Sequence, residues 1–235
     1  MGSSRLPGKV LMNLDETNSI LHYVISQLQY CKLLDKIIIA TTNLEEDEPI
    51  IEFTKKNQLN YFQGSSDDVL DRFYQCAKKF SFPIIVRITA DCPLIDPSKV
   101  DFVVQKYVDN SFDYVTTHIP RTFPQGSADI EVFSFKLLEE AWENAKKPSE
   151  REHVTTAIPK NPQLFQFSNY KNKKDLPSFR WTVDRDVDLQ FVREIYSRMS
   201  PRTIFSMDDI LKIVSNEPHL LEINKGITRN EGHLI

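Results

Sequence analysis

Over its first two thirds the chain alternates apolar strand-like runs with amphipathic helical segments, and this rhythm restricts its fold more than any other feature. Ile20, Leu21, Val24, Ile25 and Leu28 share one helical face, and the unbroken run Ile37–Ala40 follows as a buried strand. A short helix over Pro49–Lys56 and a brief strand at Tyr61–Phe62 come next. Ser66 is expected to open a helix carrying Val69, Leu70, Phe73 and Ala77. Pro83–Ile88 reads as another strand. Asp96 followed by Pro97 is an N-cap with a first-turn proline, starting a helix that runs to Val108 before the strand Tyr114–Thr117. This order predicts an α/β fold, Rossmann-like, with an open, mostly parallel sheet and helices on both faces.

Beyond Pro120 the rhythm changes. Asp129–Phe133, Leu164–Ser168 and Phe179–Val183 read as strands, and Phe135–Ala145, Val187–Met199 and Met207–Val214 as helices. Ser206 and Asp209 form a capping box for the last of these. Neither a linker nor a repeat divides the 235 residues, so one domain is expected. The 29 basic and 33 acidic residues leave a formal net charge of −4, which speaks against nucleic acid or an anionic membrane as partner. No apolar run is long enough to cross a bilayer and no signal-peptide core opens the chain, so a cytoplasmic location is expected. Cys31, Cys76 and Cys92 are scattered, which predicts neither disulfides nor a zinc site.

The segment Gly2-Ser3-Ser4-Arg5-Leu6-Pro7-Gly8-Lys9 carries the strongest chemical signal. Small residues let backbone N–H groups approach phosphate oxygens, and Arg5 and Lys9 add charge-assisted contacts. It is not a Walker loop: five residues separate Gly2 from Gly8 where that motif has four, and Val10 stands where it needs Ser or Thr. On composition alone a basic surface turn fits as well. Asp91 and Asp184 each follow a predicted strand, at the edge where open α/β sheets bind ligands. Two strand-end carboxylates suit Mg²⁺, although turn or capping duty is the alternative for each, with Asp186 and Asp188 as helix caps nearby.

Residues 1–11 resemble the signature loop of the spore-coat polysaccharide cytidylyltransferases, within the wider CMP-ketodeoxyoctonate and CMP-acylneuraminate synthetase superfamily. The similarity continues through Ala40–Asn43, Gly64–Leu70, Arg87–Asp96, Glu150–Val154 and Arg180–Asp184, in order across about 190 residues. It implies a glycosyltransferase-A-like fold and transfer of CMP from CTP to a sugar, for a surface polysaccharide. Arg5, Lys9, Asp91 and Asp184 would then be catalytic, with Mg²⁺ on Asp91 and Asp184. The nucleotide would lie on Gly2, Ser3, Ser4, Arg5, Lys9, Thr41, Thr42, Asn43 and Thr89, and the sugar on Arg121, Gln125, Gly126, Asp129 and His153. Thr89 and Ala90 depart from the glutamine and glycine of the ketodeoxyoctonate relatives. The resemblance also implies a homodimer, joined by an arm near 117–129 in which Pro120, Phe123 and Pro124 project; a substrate lid is the alternative. Use of another nucleotide, or a catalytically weak nucleotide-binding module, are the rival functions.

One departure concerns the sheet itself. In open α/β folds the phosphate loop follows a central first strand, and here the loop starts at Met1. The expectation is a sheet missing that strand, and a natural product that continues upstream.

Overall fold

The computed structural model describes residues 1–3, 5–152, 154–155 and 165–227. Its elements follow the order β1 (Ile38–Thr42), β2 (Asn60–Gly64), β3 (Ile84–Arg87), β4 (Tyr114–Thr116), β5 (Glu131–Ser134) and β6 (Phe167–Asn169). Between and around them lie α1 (Ile20–Gln29), α2 (Glu48–Lys56), α3 (Val69–Phe80), α4 (Pro97–Asn110), α5 (Phe135–Asn144), α6 (Pro148–Glu152), α7 (Asp186–Met199) and α8 (Met207–Asn216). The sheet stands in two pieces. β1 and β2 pair in parallel, and the other four strands are ordered β3-β5-β4-β6. β3 and β4 both run antiparallel to β5 while β6 runs parallel to β4, so three of these four strands share one direction. The fold is the expected α/β arrangement, and the opening loop packs beside the break between the two sheets. There Met1, Val10 and Leu11 pack with Ile39 and Ala90 against Leu21, Ile25 and Ile50.

Alternation along the strands divides the core. Val115 and Val132 face a large cluster shared with Val24, Val103, Phe191, Ile195 and Ile210, so α1, α4, α7 and α8 cover one side. Tyr114 and Phe133, one position away on each strand, face Leu70, Tyr74 and Leu138 of α3 and α5 on the other. Each such buried side chain contributes about 1.5–3 kcal/mol relative to exposure. Among the described residues no helix is long and apolar enough to cross a membrane. All three cysteines are free.

Several boundaries differ from expectation. Asp68, not Ser66, caps α3, accepting the Asp71 amide at 2.8 Å; the Ser66 hydroxyl donates to Asp67 instead. Asp129 precedes β5 rather than opening it, and Leu164 lies outside the described residues. Phe179–Val183 joins no strand ladder, and its one bridge, from Arg180 to Gln125, is isolated. Its amides are taken by loops: Trp181 N donates to Gln125 O at 2.8 Å, and Val183 N to Asp91 O at 2.9 Å. The expected projection of the 117–129 segment is also absent at its centre. Phe123 is 7% exposed and sits in the main core, and Pro124 is buried, leaving Ile119 and Pro120 as its exposed apolar residues.

Candidate active site

Three segments distant in sequence meet at the carboxyl edge of β3. The first is the opening loop, which turns at Gly8 with φ +71°, a left-handed conformation that favours glycine, and enters a short 3-10 turn at Lys9. The second is the loop after β3 bearing Asp91. The third is Phe179–Asp184, tied to the second by Val183 N and by the Thr182 hydroxyl, which donates to Asp91 O at 3.2 Å.

At their meeting point the Lys9 ammonium bridges both aspartates, 2.7 Å from Asp91 Oδ2 and 2.8 Å from Asp184 Oδ1. Arg5 reaches the same Asp184 oxygen at 3.0 Å. Burial works against the Lys9 charge, but Asp91 and Asp184 more than offset it and its pKa is raised. Burial likewise opposes the Asp184 carboxylate, yet the hydrogen bonds and charges of Lys9 and Arg5 bring its pKa down to about 2. All four residues expected to be catalytic are therefore in one cluster.

Beside the cluster lies a cleft of about 280 Å³, lined by Gly2, Ser3, Gly8 and Lys9 from the opening loop and by Thr41 and Thr42 from β1. Both threonine hydroxyls donate to Asp47 Oδ2 at 2.7 Å, and the Met1 ammonium donates to its other oxygen. Asn43 is exposed and lies off the cleft, and Thr89 pairs with Cys92 Sγ at 3.3 Å while its neighbour Ala90 faces the cleft. Ser4 lies outside the described residues.

Arg72 also lines the cleft, with its Nε buried and unpartnered and its Nη1 donating to Ser65 O at 2.6 Å. Burial lowers its pKa, with the Asp47 charge opposing. Nothing in the sequence pattern marks Arg72, although it stands two residues past Leu70, the end of the similar Gly64–Leu70 stretch.

On the other flank Arg121 pairs with Asp129, and the Asp129 charge reaches the buried Cys92 beside Asp91. Gln125 takes Arg180 Nη1 on its side-chain oxygen at 3.5 Å. Gly126 is a packing position rather than a contact surface. With φ +90°, its Cβ would stand 2.7 Å from Thr182 N and 2.9 Å from Trp181 C. His153 lies outside the described residues. Next to this flank Glu131, 1% exposed, accepts from Arg87 at 2.5 Å, from Tyr114 at 2.5 Å and from Thr155. His118 lies 3.8 Å away; burial lowers its pKa, against the pull of Glu131 and Asp129. Neither Glu131 nor His118 was singled out beforehand, because one reads as a strand residue and the other as part of a loop.

Known proteins resemble the chain along nearly its whole length. It is 37% identical over 228 residues to an uncharacterised protein of Methanocaldococcus jannaschii, covering 96% of this chain and 91% of that one. It is 30% identical over 223 residues to the spore coat polysaccharide biosynthesis protein SpsF of Bacillus subtilis, covering 93% and 92%. A solved cytidylyltransferase from Leptospira borgpetersenii superposes with a TM-score of 0.91 at 32% identity, over 97% of this chain and 95% of that one. The model of one family, described as cytidylyltransferase, matches residues 1–224. Since that match takes in the opening loop, both aspartates and every strand between them, the chain belongs to the cytidylyltransferase family and is a nucleotidyltransferase.

Proposed function

We propose that the chain transfers CMP from CTP to a sugar, releasing pyrophosphate, in the cytoplasm and for a surface polysaccharide. One observation carries the reading: Asp91 and Asp184, from loops far apart in sequence, converge on a single positive charge beside a cleft lined by the phosphate-type loop. The convergence also fits Mg²⁺, because two carboxylates that share one cation form the oxygen-donor set such an ion takes with phosphates and water. Bound there, the ion would supply charge neutralisation on the phosphate oxygens. The name of the Bacillus subtilis relative supports the polysaccharide role.

In this reading Gly2 and Ser3 bring backbone amides to the triphosphate, and Thr41 and Thr42 serve the nucleoside. Lys9 and Arg5 exchange carboxylate partners for phosphate oxygens. The acceptor lies on the Arg121–Asp129 side with Gln125. Its hydroxyl oxygen forms a bond to the α-phosphorus and loses its proton to water, as the bond to the bridging oxygen breaks and pyrophosphate leaves. The chain's contribution is position and preorganised charge.

Pyrophosphate release from each of the four nucleoside triphosphates, with a panel of neutral and acidic sugars, tests the assignment. Release with CTP and at least one sugar is expected, and release only with another nucleotide would overturn it. The break in the sheet beside the opening loop favours a second reading, a nucleotide binder with feeble turnover. CTP-dependent thermal stabilisation without pyrophosphate release identifies that case.

A further inference from the structure

The Asp184 carboxylate is held on both oxygens, and by different kinds of group. Oδ1 faces Lys9 and Arg5, which are the groups expected to move when nucleotide enters. Oδ2 accepts Arg180 Nη2 at 2.7 Å. Arg180 is only 8% exposed, and its guanidinium is forked onto Asp188, with Nε 2.9 Å from Oδ1 and Nη2 3.1 Å from Oδ2. Asp188 is fully buried in the first turn of α7. It also accepts the backbone amides of Asp184 and Arg185, each at 3.0 Å. One buried carboxylate thus fixes both the backbone of Asp184 and the guanidinium that grips its side chain.

We propose that Arg180 is a positioning residue: forked on Asp188, it occupies Asp184 Oδ2 and so presents Oδ1 to the point shared with Asp91 Oδ2. The physical basis is the planar fork of arginine, which locks a partner's orientation in a way a lysine point charge does not. An aspartate side chain free to rotate would offer either oxygen, or both, to an incoming cation. Groups that orient a ligand from behind typically change metal affinity 10–100-fold when removed. The inference rests on the reading of Asp91 and Asp184 as the ion site.

The test uses Mn²⁺ in place of Mg²⁺, with the 235-residue protein, saturating CTP and no acceptor. Water-proton relaxation enhancement reports ion held on the protein, as distinct from ion on free CTP. Arg180→Lys keeps the charge and loses the fork, and Asp188→Asn is isosteric. Both should weaken Mn²⁺ binding at least roughly tenfold, while the Kd for CTP, titrated calorimetrically, stays within about twofold. Asn224→Ala is the structural control, because Asn224 bonds Arg180 O and Asp188 Oδ1 but does not touch Asp184. It should lower the melting temperature and leave Mn²⁺ affinity unchanged. If the wild type shows no enhancement, the ion site itself is rejected and the positioning role with it. If the wild type binds and Arg180→Lys matches it, or Asn224→Ala weakens binding equally, the ion site stands and the positioning role is overturned.

Discussion

At the scale of single residues, the ionic cluster at Lys9 governs what substitutions should do. Asp91→Asn and Asp184→Asn should each lower pyrophosphate release by at least about 100-fold with the fold intact by circular dichroism; near-normal turnover in both would remove the ion site. Lys9→Ala should weaken CTP by about 1.5–3 kcal/mol and CMP far less, since a monophosphate offers nothing to a cation that reaches distal phosphates. Equal losses in a calorimetric titration would place Lys9 elsewhere. The same cluster sets a pH dependence. The Asp184 pKa falls from 3.8 to about 2 on folding, so its contribution is complete above pH 4 and is lost as the pH falls through 2. A depression of that size corresponds to about 2 kcal/mol. Urea unfolding across that window should fall more steeply with acid for the wild type than for Asp184→Asn, and parallel curves would refute the coupling. Gly126→Ala, which forces a side chain onto the Trp181–Thr182 backbone at positive φ, should cost about 2–4 kcal/mol in the same measurement at neutral pH.

At the scale of elements, Asp96 ties α4 and α8 to the loop ahead of β5. Its Oδ1 caps α4 by accepting the Ser98 amide at 2.8 Å, its Oδ2 accepts the Met207 amide at the start of α8 at 2.8 Å, and its own amide donates to Ser127 O at 2.8 Å. The side chain is 1% exposed, so water cannot replace it. Asp96→Ala should therefore exceed an ordinary lost cap, at about 2–4 kcal/mol, because a second helix start is left with an unmet buried donor. Chemical denaturation measures the loss, and a cost below about 1 kcal/mol would show that α8 does not depend on this contact. The capping half of Asp96 was legible from Asp96-Pro97 alone, as was the Ser206–Asp209 box of α8, because caps act within four residues. The bond from Asp96 to Met207 was not, for it spans 111 residues.

For the whole molecule we propose a homodimer, with exposed Ile119 and Pro120 rather than buried Phe123 and Pro124 to serve it. Sedimentation at micromolar concentration should give twice the chain mass, and a monomer would reject it. The sequence by itself determined the kind and order of most elements, the expected strand Phe179–Val183 excepted, since hydrophobic periodicity acts over one or two turns of chain. It also determined the chemical inventory of the site, because Arg5, Lys9, Asp91 and Asp184 stand in recognisable local settings. Tertiary structure alone decided how that inventory is wired. Lys9 sits between two carboxylates 175 and 82 residues away, and Gly126 serves the backbone at Trp181–Thr182 rather than a ligand. Phe179–Val183 spends its amides on loops instead of a ladder, and Arg180 takes the rear oxygen of Asp184. The physical reason is range: a local pattern says which face of a residue must be buried, whereas the partner of a buried charge is whichever opposite charge the packed chain brings within about 3 Å.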